Sequence, residues 1–136
     1  MKKIQTLAPE YVYQFWPIIG PMLERSVASG VNDCTAEQMK MSLAHGKELL
    51  FVVTEDEEII GAFVVNIINY PNHRVAQTTA MGGKGLFDEN TVKEYEDWCR
   101  SQGCTKIRAW AKDAQARLYR IKLGLEKSMN VVEKLL

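Results

Sequence analysis

Ala76-Gln77-Thr78-Thr79-Ala80-Met81-Gly82-Gly83-Lys84-Gly85 is a strand-like run that breaks into glycines and then leads into a helical pattern. Glycine permits positive φ and close backbone approach, and a helix that follows begins with unpaired N–H donors at the positive end of its dipole. A junction of this kind holds a phosphate. A plain connecting turn uses the same residues, so the meaning of Gly82 to Gly85 rests on the elements around it.

Upstream, Pro9 suits a first helical turn, and Val12, Phe15, Trp16, Ile19, Met22, Leu23 and Val27 follow at mostly helical spacing. Pro17 and Pro21 fall inside that helix and predict a kink or a division between Trp16 and Gly20. Ser29-Gly30 closes the segment. Thr35-Ala36-Glu37-Gln38 has the form of a capping box for a second helix reaching about Ala44. Two helices thus precede the first clear strand, Leu49 to Thr54. An acidic turn, Glu55 to Glu58, joins it to a longer strand, Ile59 to Ile68, rich in β-branched residues. Tyr70-Pro71-Asn72-His73 turns the chain back along Arg74 to Met81, which makes three consecutive antiparallel strands.

Downstream of the glycines, a helix begins at Asp88 or Asn90. Val92, Tyr95 and Cys99 recur on it at helical spacing, Trp98 widens the stripe, and Gly103 suits its C-terminal cap. Lys106 to Ala111 is a strand. Because it follows a helix that followed a strand, it is expected to lie parallel to Arg74 to Met81, with Ile59 to Ile68 central in a mixed sheet. Ala114 to about Leu123 forms a last helix and Met129 to Leu135 a final strand. No repeat, low-complexity tract or linker divides the chain, so residues 1–136 read as a single domain.

The 136 residues suffice for a core without staples. Lys+Arg and Asp+Glu are equal at 17 each, so no global field draws the chain to nucleic acid or an anionic membrane. The basic stretch Lys106, Arg108, Lys112, Arg117, Arg120 and Lys122 is spread over different faces and reads as solvated. Cys34, Cys99 and Cys104 are odd in number and contain no Cys-x-x-Cys pair, which suits reduced structural thiols in a cytoplasm. No apolar run approaches the ~20 residues of a membrane span. His45 and His73 have no metal-ligand company in the sequence, and no metal site is expected.

Two helices, a three-stranded meander, a glycine turn, helix, strand, helix and strand is an order that resembles the GNAT N-acetyltransferase family over nearly the whole chain. The likeness extends to small GNAT-like proteins of phages and prophages, through Trp16-Pro17 with Pro21-Met22-Leu23-Glu24-Arg25, Tyr70-Pro71, Gly82-Gly83-Lys84-Gly85-Leu86, Gln102-Gly103-Cys104 and Gly124. The resemblance implies an α/β fold with a mixed central β-sheet flanked by helices. It also implies acetyl-CoA as cofactor, its pyrophosphate held by the turn at Gly82, Gly83, Lys84 and Gly85, and an amine as acceptor. Gly83, Lys84 and Gly85 match the G-x-G part of the family's Q/R-x-x-G-x-G/A motif, whereas Ala80 stands where that motif has Gln or Arg. Asp88 and Glu89 lie at the positive end of the following helix and compete with a diphosphate by repulsion.

Family members commonly take a carboxylate or ordered water as base and a tyrosine of the last helix as acid. Arg74 to Met81 carries no Asp or Glu, leaving Gln77, Thr78 and Thr79 as groups that orient a water. Tyr119 is the candidate catalytic acid. It precedes Gly124 by five residues where the family spacing is four, and one residue is a rotation of ~100° on a helix. Twelve residues follow Gly124, room for one strand of roughly five to six residues rather than the family's closing pair. The C-terminal pair is therefore expected to be shortened, and the uncovered edge of Met129 to Leu135 to be a pairing surface for a homo-oligomer or larger assembly. Two functions stay open: an acyl-CoA-dependent N-acetyltransferase, and a non-catalytic interaction protein on the same fold, such as a phage virion or assembly component.

Overall fold

A computed structural model describes residues 1–29 and 33–136. The chain begins with strand β1 (Lys2–Leu7), a single 3-10 turn at Pro9–Tyr11, and helices α1 (Val12–Ser29) and α2 (Ala36–Ala44). Strands β2 (Leu49–Glu55), β3 (Glu58–Asn69) and β4 (Arg74–Gly83) form the meander. Helix α3 (Glu89–Ser101), strand β5 (Lys106–Ala109) and helix α4 (Asp113–Leu123) complete it. The five strands make one mixed sheet in the order β1-β2-β3-β4-β5, with β3 central and β5 parallel to β4 as the sequence predicts.

Local chemistry accounts for most of these boundaries. Asp56 and Glu57 both adopt positive φ, 51° and 68°, which is the backbone a two-residue hairpin between twisted strands requires. Thr35 and Gln38 form the reciprocal capping box at α2. Gly124, with φ 70°, ends α4 in the left-handed conformation.

The sheet buries both faces. Ile19 and Leu23 of α1 and Met39 and Leu43 of α2 cover Leu50, Val52, Ala62, Val64 and Ala80. On the other face α3 lays Tyr95 and Cys99 over Phe51, Phe63, Val65 and Ala76. Phe51 and Phe63 are cross-strand partners stacked at 4.8 Å, and the Tyr95 ring meets them edge-on at 5.6 and 5.3 Å. The Tyr95 hydroxyl is buried beside Thr78 and Cys99 without completing a hydrogen bond to either. Burial pushes the Cys99 thiol up to about 11, so it is an inert core group. Cys34, Cys99 and Cys104 are all free thiols.

The structure corrects the sequence reading at four places. β1 lies where only an opening helix is expected. Its pairing partner is β2, and its outer edge is held by α3, with the Ile4 N–H donating to Glu94 Oε2 at 3.1 Å and Asn90 Nδ2 donating to the Lys2 carbonyl at 2.8 Å. Helix α1 is not divided at Pro17 or Pro21. Both prolines are exposed, so the carbonyls that lose a partner face water while Ile19 and Leu23 anchor the opposite side. The proposed close at Ser29-Gly30 extends to Gly30, outside the described residues.

The buried stripe of α3 is Thr91, Tyr95 and Cys99, with Val92 half-buried, because Thr91 is drawn inward by the helix cap. Finally, Met129 to Leu135 is not a strand, and residues 125–136 have no regular structure. Val132 and Leu135 are 91% and 98% exposed. Adjacent Val131-Val132 followed by Glu133-Lys134 gives no alternation, hence no single face to bury. Among the described residues the edge of the sheet on that side belongs to β5, which pairs there with β4 alone.

Candidate functional site

The site is set by a fork in the sheet. β4 and β5 are paired from Val75 with Lys106 to Thr78 with Ala109, and the Trp110 N–H still reaches the Thr78 carbonyl at 3.4 Å. Beyond Thr78, β4 continues to Gly83 with β3 alone. The parting coincides with a bulge: Val65 faces Thr78 and Val64 faces Ala80, leaving Thr79 as the extra residue on β4. A bulge bends its strand and re-aims its side chains and N–H groups. The Thr79 hydroxyl is buried there with no hydrogen-bond partner among the described residues. The Met81 N–H points away from the sheet to Ser26 Oγ on α1, at 3.0 Å.

Of the four glycine-turn residues, Gly82 and Gly83 still belong to β4, opposite Ala62 and Gly61. Their lack of a side chain serves packing. A Cβ on Gly82 would lie 2.2 Å from the Met22 carbonyl oxygen, because α1 crosses β4 at that point. A Cβ on Gly83, with φ 110°, would lie 2.4 Å from the Ile60 carbonyl oxygen. Lys84 and Gly85 form the turn itself. Gly85 has φ 61° and open space around its α-carbon, with Lys2 Nζ the nearest atom at 3.6 Å from a Cβ built there. The Lys2 ammonium donates to the Gly85 carbonyl and so ties the turn to β1.

Leu86 folds back over Gly61 into the core, and α3 starts behind it. Asp88 caps α3: its carboxylate accepts the Thr91 N–H at 2.9 Å while Thr91 Oγ1 accepts the Asp88 N–H at 2.8 Å. The Thr91 N–H, with Lys2 further off, holds the Asp88 carboxyl below the usual range. The expected competition at the helix start is thus present as a fixed carboxylate. A groove of about 620 Å³ runs from the turn along the first turns of α3 to the end of α4. Lys2, Lys93 and Lys122 line it together with Asp88, Glu89 and Glu96. Lys2 and Lys122 come from opposite ends of the chain, and no local motif marks them.

Tyr119 projects from α4 toward β4, its hydroxyl donating to Met81 Sδ at 3.7 Å. It is half-buried, and desolvation raises its pKa above the ordinary tyrosine value. Arg120, at the four-residue spacing, is exposed. The structure therefore brings Tyr119 to the same stretch of β4 that carries Thr79 and Ser26's partner. The histidines stay apart from this region: His45 Nδ1 lies 2.7 Å from the Met41 carbonyl and His73 Nδ1 3.0 Å from Thr105 Oγ1.

No protein-family model matches the chain, and no curated protein matches it by sequence. Solved structures do match it by shape. An aminoglycoside acetyltransferase from an uncultured soil metagenomic sample, in complex with sisomicin, superposes with a TM-score of 0.70 at 13% identity, covering 99% of this chain and 96% of that one. An aminoglycoside N-acetyltransferase in complex with CoA gives 0.67 at 13% identity, with 100% and 95% covered. A ribosomal-protein-alanine N-acetyltransferase from Brucella melitensis biovar Abortus 2308 gives 0.66 at 12% identity, with 100% and 98% covered. The fold is that of the GNAT acetyltransferases, a mixed five-stranded sheet flanked by helices.

Proposed function

We propose that this chain is an acyl-CoA-dependent N-acetyltransferase. The fork at Thr78–Thr79 carries the reading: it opens one edge of β4 beside a half-buried tyrosine hydroxyl, in a fold shared with a protein described in complex with CoA. The turn residues fit an anionic group. Lys84 and the N–H groups at Lys84 and Gly85 hold the diphosphate, and Lys2 and Lys122 offset the Asp88 carboxylate beside it. Gly82 and Gly83 shape the approach by letting α1 and β3 come close. When bound, acetyl-CoA supplies an activated acyl thioester.

The chain's own groups do the rest. The Met81 N–H, now on Ser26 Oγ, is the backbone donor available to a carbonyl at the open edge. Tyr119 has its pKa raised by burial, so it keeps its proton at neutral pH and delivers it to a departing thiolate. Calorimetric titration with acetyl-CoA tests the reading. Wild type is expected to bind, and Lys84→Ala to bind more weakly with a flatter dependence on salt. Absence of any binding heat or thermal stabilisation in wild type would overturn the transferase assignment.

A further inference from the structure

Helix α1 carries Pro17, Gly20 and Pro21 within five positions, the two residue types that a helix interior tolerates least. All three line one groove, which has a volume of about 440 Å³ and lies between α1 and the start of α2. Neither the fork nor the glycine turn uses them. The groove is also apart from both. α1 turns Met22 and Ser26 to β4, and Gly20 and Glu24, each two residues from Met22, stand roughly half a turn round the helix from it.

Each of these residues builds the groove in its own way. Gly20 seats the indole of Trp16: three ring atoms lie 2.6 to 2.9 Å from where a Cβ would stand, so any larger residue displaces the ring. Pro21 has no N–H, so the Pro17 carbonyl lacks its partner one turn on. Both prolines line the groove, which puts that carbonyl oxygen on its wall. Glu24 follows on the same wall, exposed and in no ion pair among the described residues. Across from it, Glu37 of α2 shares its charge with Lys40 at 3.4 Å.

The groove thus combines an aromatic ring, a carbonyl oxygen without a helical partner and an unpaired carboxylate, and no lysine or arginine is among its described lining residues. Its complement is flat, positively charged and rich in N–H groups. A guanidinium has that form: it is planar, stacks on indole and carries five donors, whereas an ammonium is a compact point charge without a flat face.

We infer that this groove docks an arginine side chain of a partner protein, its guanidinium stacked on Trp16 and donating to the Glu24 carboxylate and the Pro17 carbonyl. A guanidinium stays protonated in proteins, so the docked group is not an acceptor for acyl transfer, and the inference stands apart from the transferase reading. It also gives the prolines of α1 a purpose. Pro21→Ala returns an N–H to the Pro17 carbonyl, and is expected to raise the melting temperature while weakening docking. A purely structural role for Pro21 does not move the two in opposite directions.

The deciding experiment is an NMR titration of the whole chain with N-acetyl-arginine methylamide and, separately, with its citrulline and lysine counterparts. Saturable shifts are expected at the Trp16 indole N–H and the Gly20 amide with the arginine compound, weaker ones with lysine and none with citrulline. The indole N–H of Trp110, 44% exposed and outside the groove, is expected to stay in place. The affinity should fall roughly fivefold or more in Glu24→Gln and in Pro21→Ala. Equal shifts with citrulline or at Trp110, an affinity unchanged in both variants, or no shift at tens of millimolar would overturn the docking site. Lysine bound as tightly as arginine would overturn its assignment to a guanidinium.

Discussion

Gly82→Ala is expected to unfold the chain, or to lower its stability by about 3 kcal/mol or more, the upper end of what overpacking a tight interior costs. The added methyl would meet backbone, 2.2 Å from the Met22 carbonyl oxygen and 2.4 Å from its carbon. No rotamer relieves that contact; α1 must lift from β4 and take Ile19 and Leu23 out of the core with it. Gly85→Ala is the control. Its position has open space and asks only for a left-handed φ of 61°, which costs about 1 kcal/mol. Urea unfolding of the two variants beside wild type measures the contrast. Near-wild-type stability of Gly82→Ala would mean that α1 is not seated on β4 as described.

Gly85→Asp is expected to weaken acetyl-CoA binding at least tenfold while costing no more than about 1–2 kcal/mol of stability. Aspartate tolerates the left-handed region better than most residues, and nothing but the flexible Lys2 ammonium approaches the site. The new carboxylate would stand beside Asp88 and draw Lys2 onto itself, so the turn would present negative charge where the diphosphate is proposed to lie. Gly83 is a poorer probe. With φ 110° and the Ile60 carbonyl 2.4 Å from any Cβ, a substitution there perturbs the strand pair before it perturbs a ligand. Titration and unfolding of Gly85→Asp together separate the two effects, and an affinity equal to wild type would remove the turn from the cofactor site.

The meander, the parallel β5 and α2 were legible because each carries its own chemistry: β-branched runs, a helix between two strands, a capping box at Thr35. β1 was not legible. Its hydrogen bonds go to β2, Asn90 and Glu94, far along the chain, and its six residues hold only Ile4 and Leu7 as large apolar groups. The prolines of α1 misled for a related reason, since the sequence does not reveal that both would face water. The last predicted strand failed because Val131 and Val132 carry β propensity without an alternating face.

At the proposed site, the sequence named the turn and Tyr119 as candidates; where Tyr119 sits reflects the path of α4 rather than residue counting. It left Gly82 and Gly83 between phosphate binding and a plain connecting turn, whereas both belong to β4, where a close helix crossing and a strand pair require them.

The most direct test of the acyl-CoA site is a residue-resolved map of where acetyl-CoA binds, from backbone amide spectra of the ¹⁵N-labelled chain with and without it. The proposal predicts saturable shifts centred on Lys84 and Gly85 and on Thr79 to Met81 at the open edge of β4, with smaller changes at Lys2 and Lys122. An unchanged spectrum, or shifts confined to surfaces away from the β4–β5 fork and the turn, would contradict it.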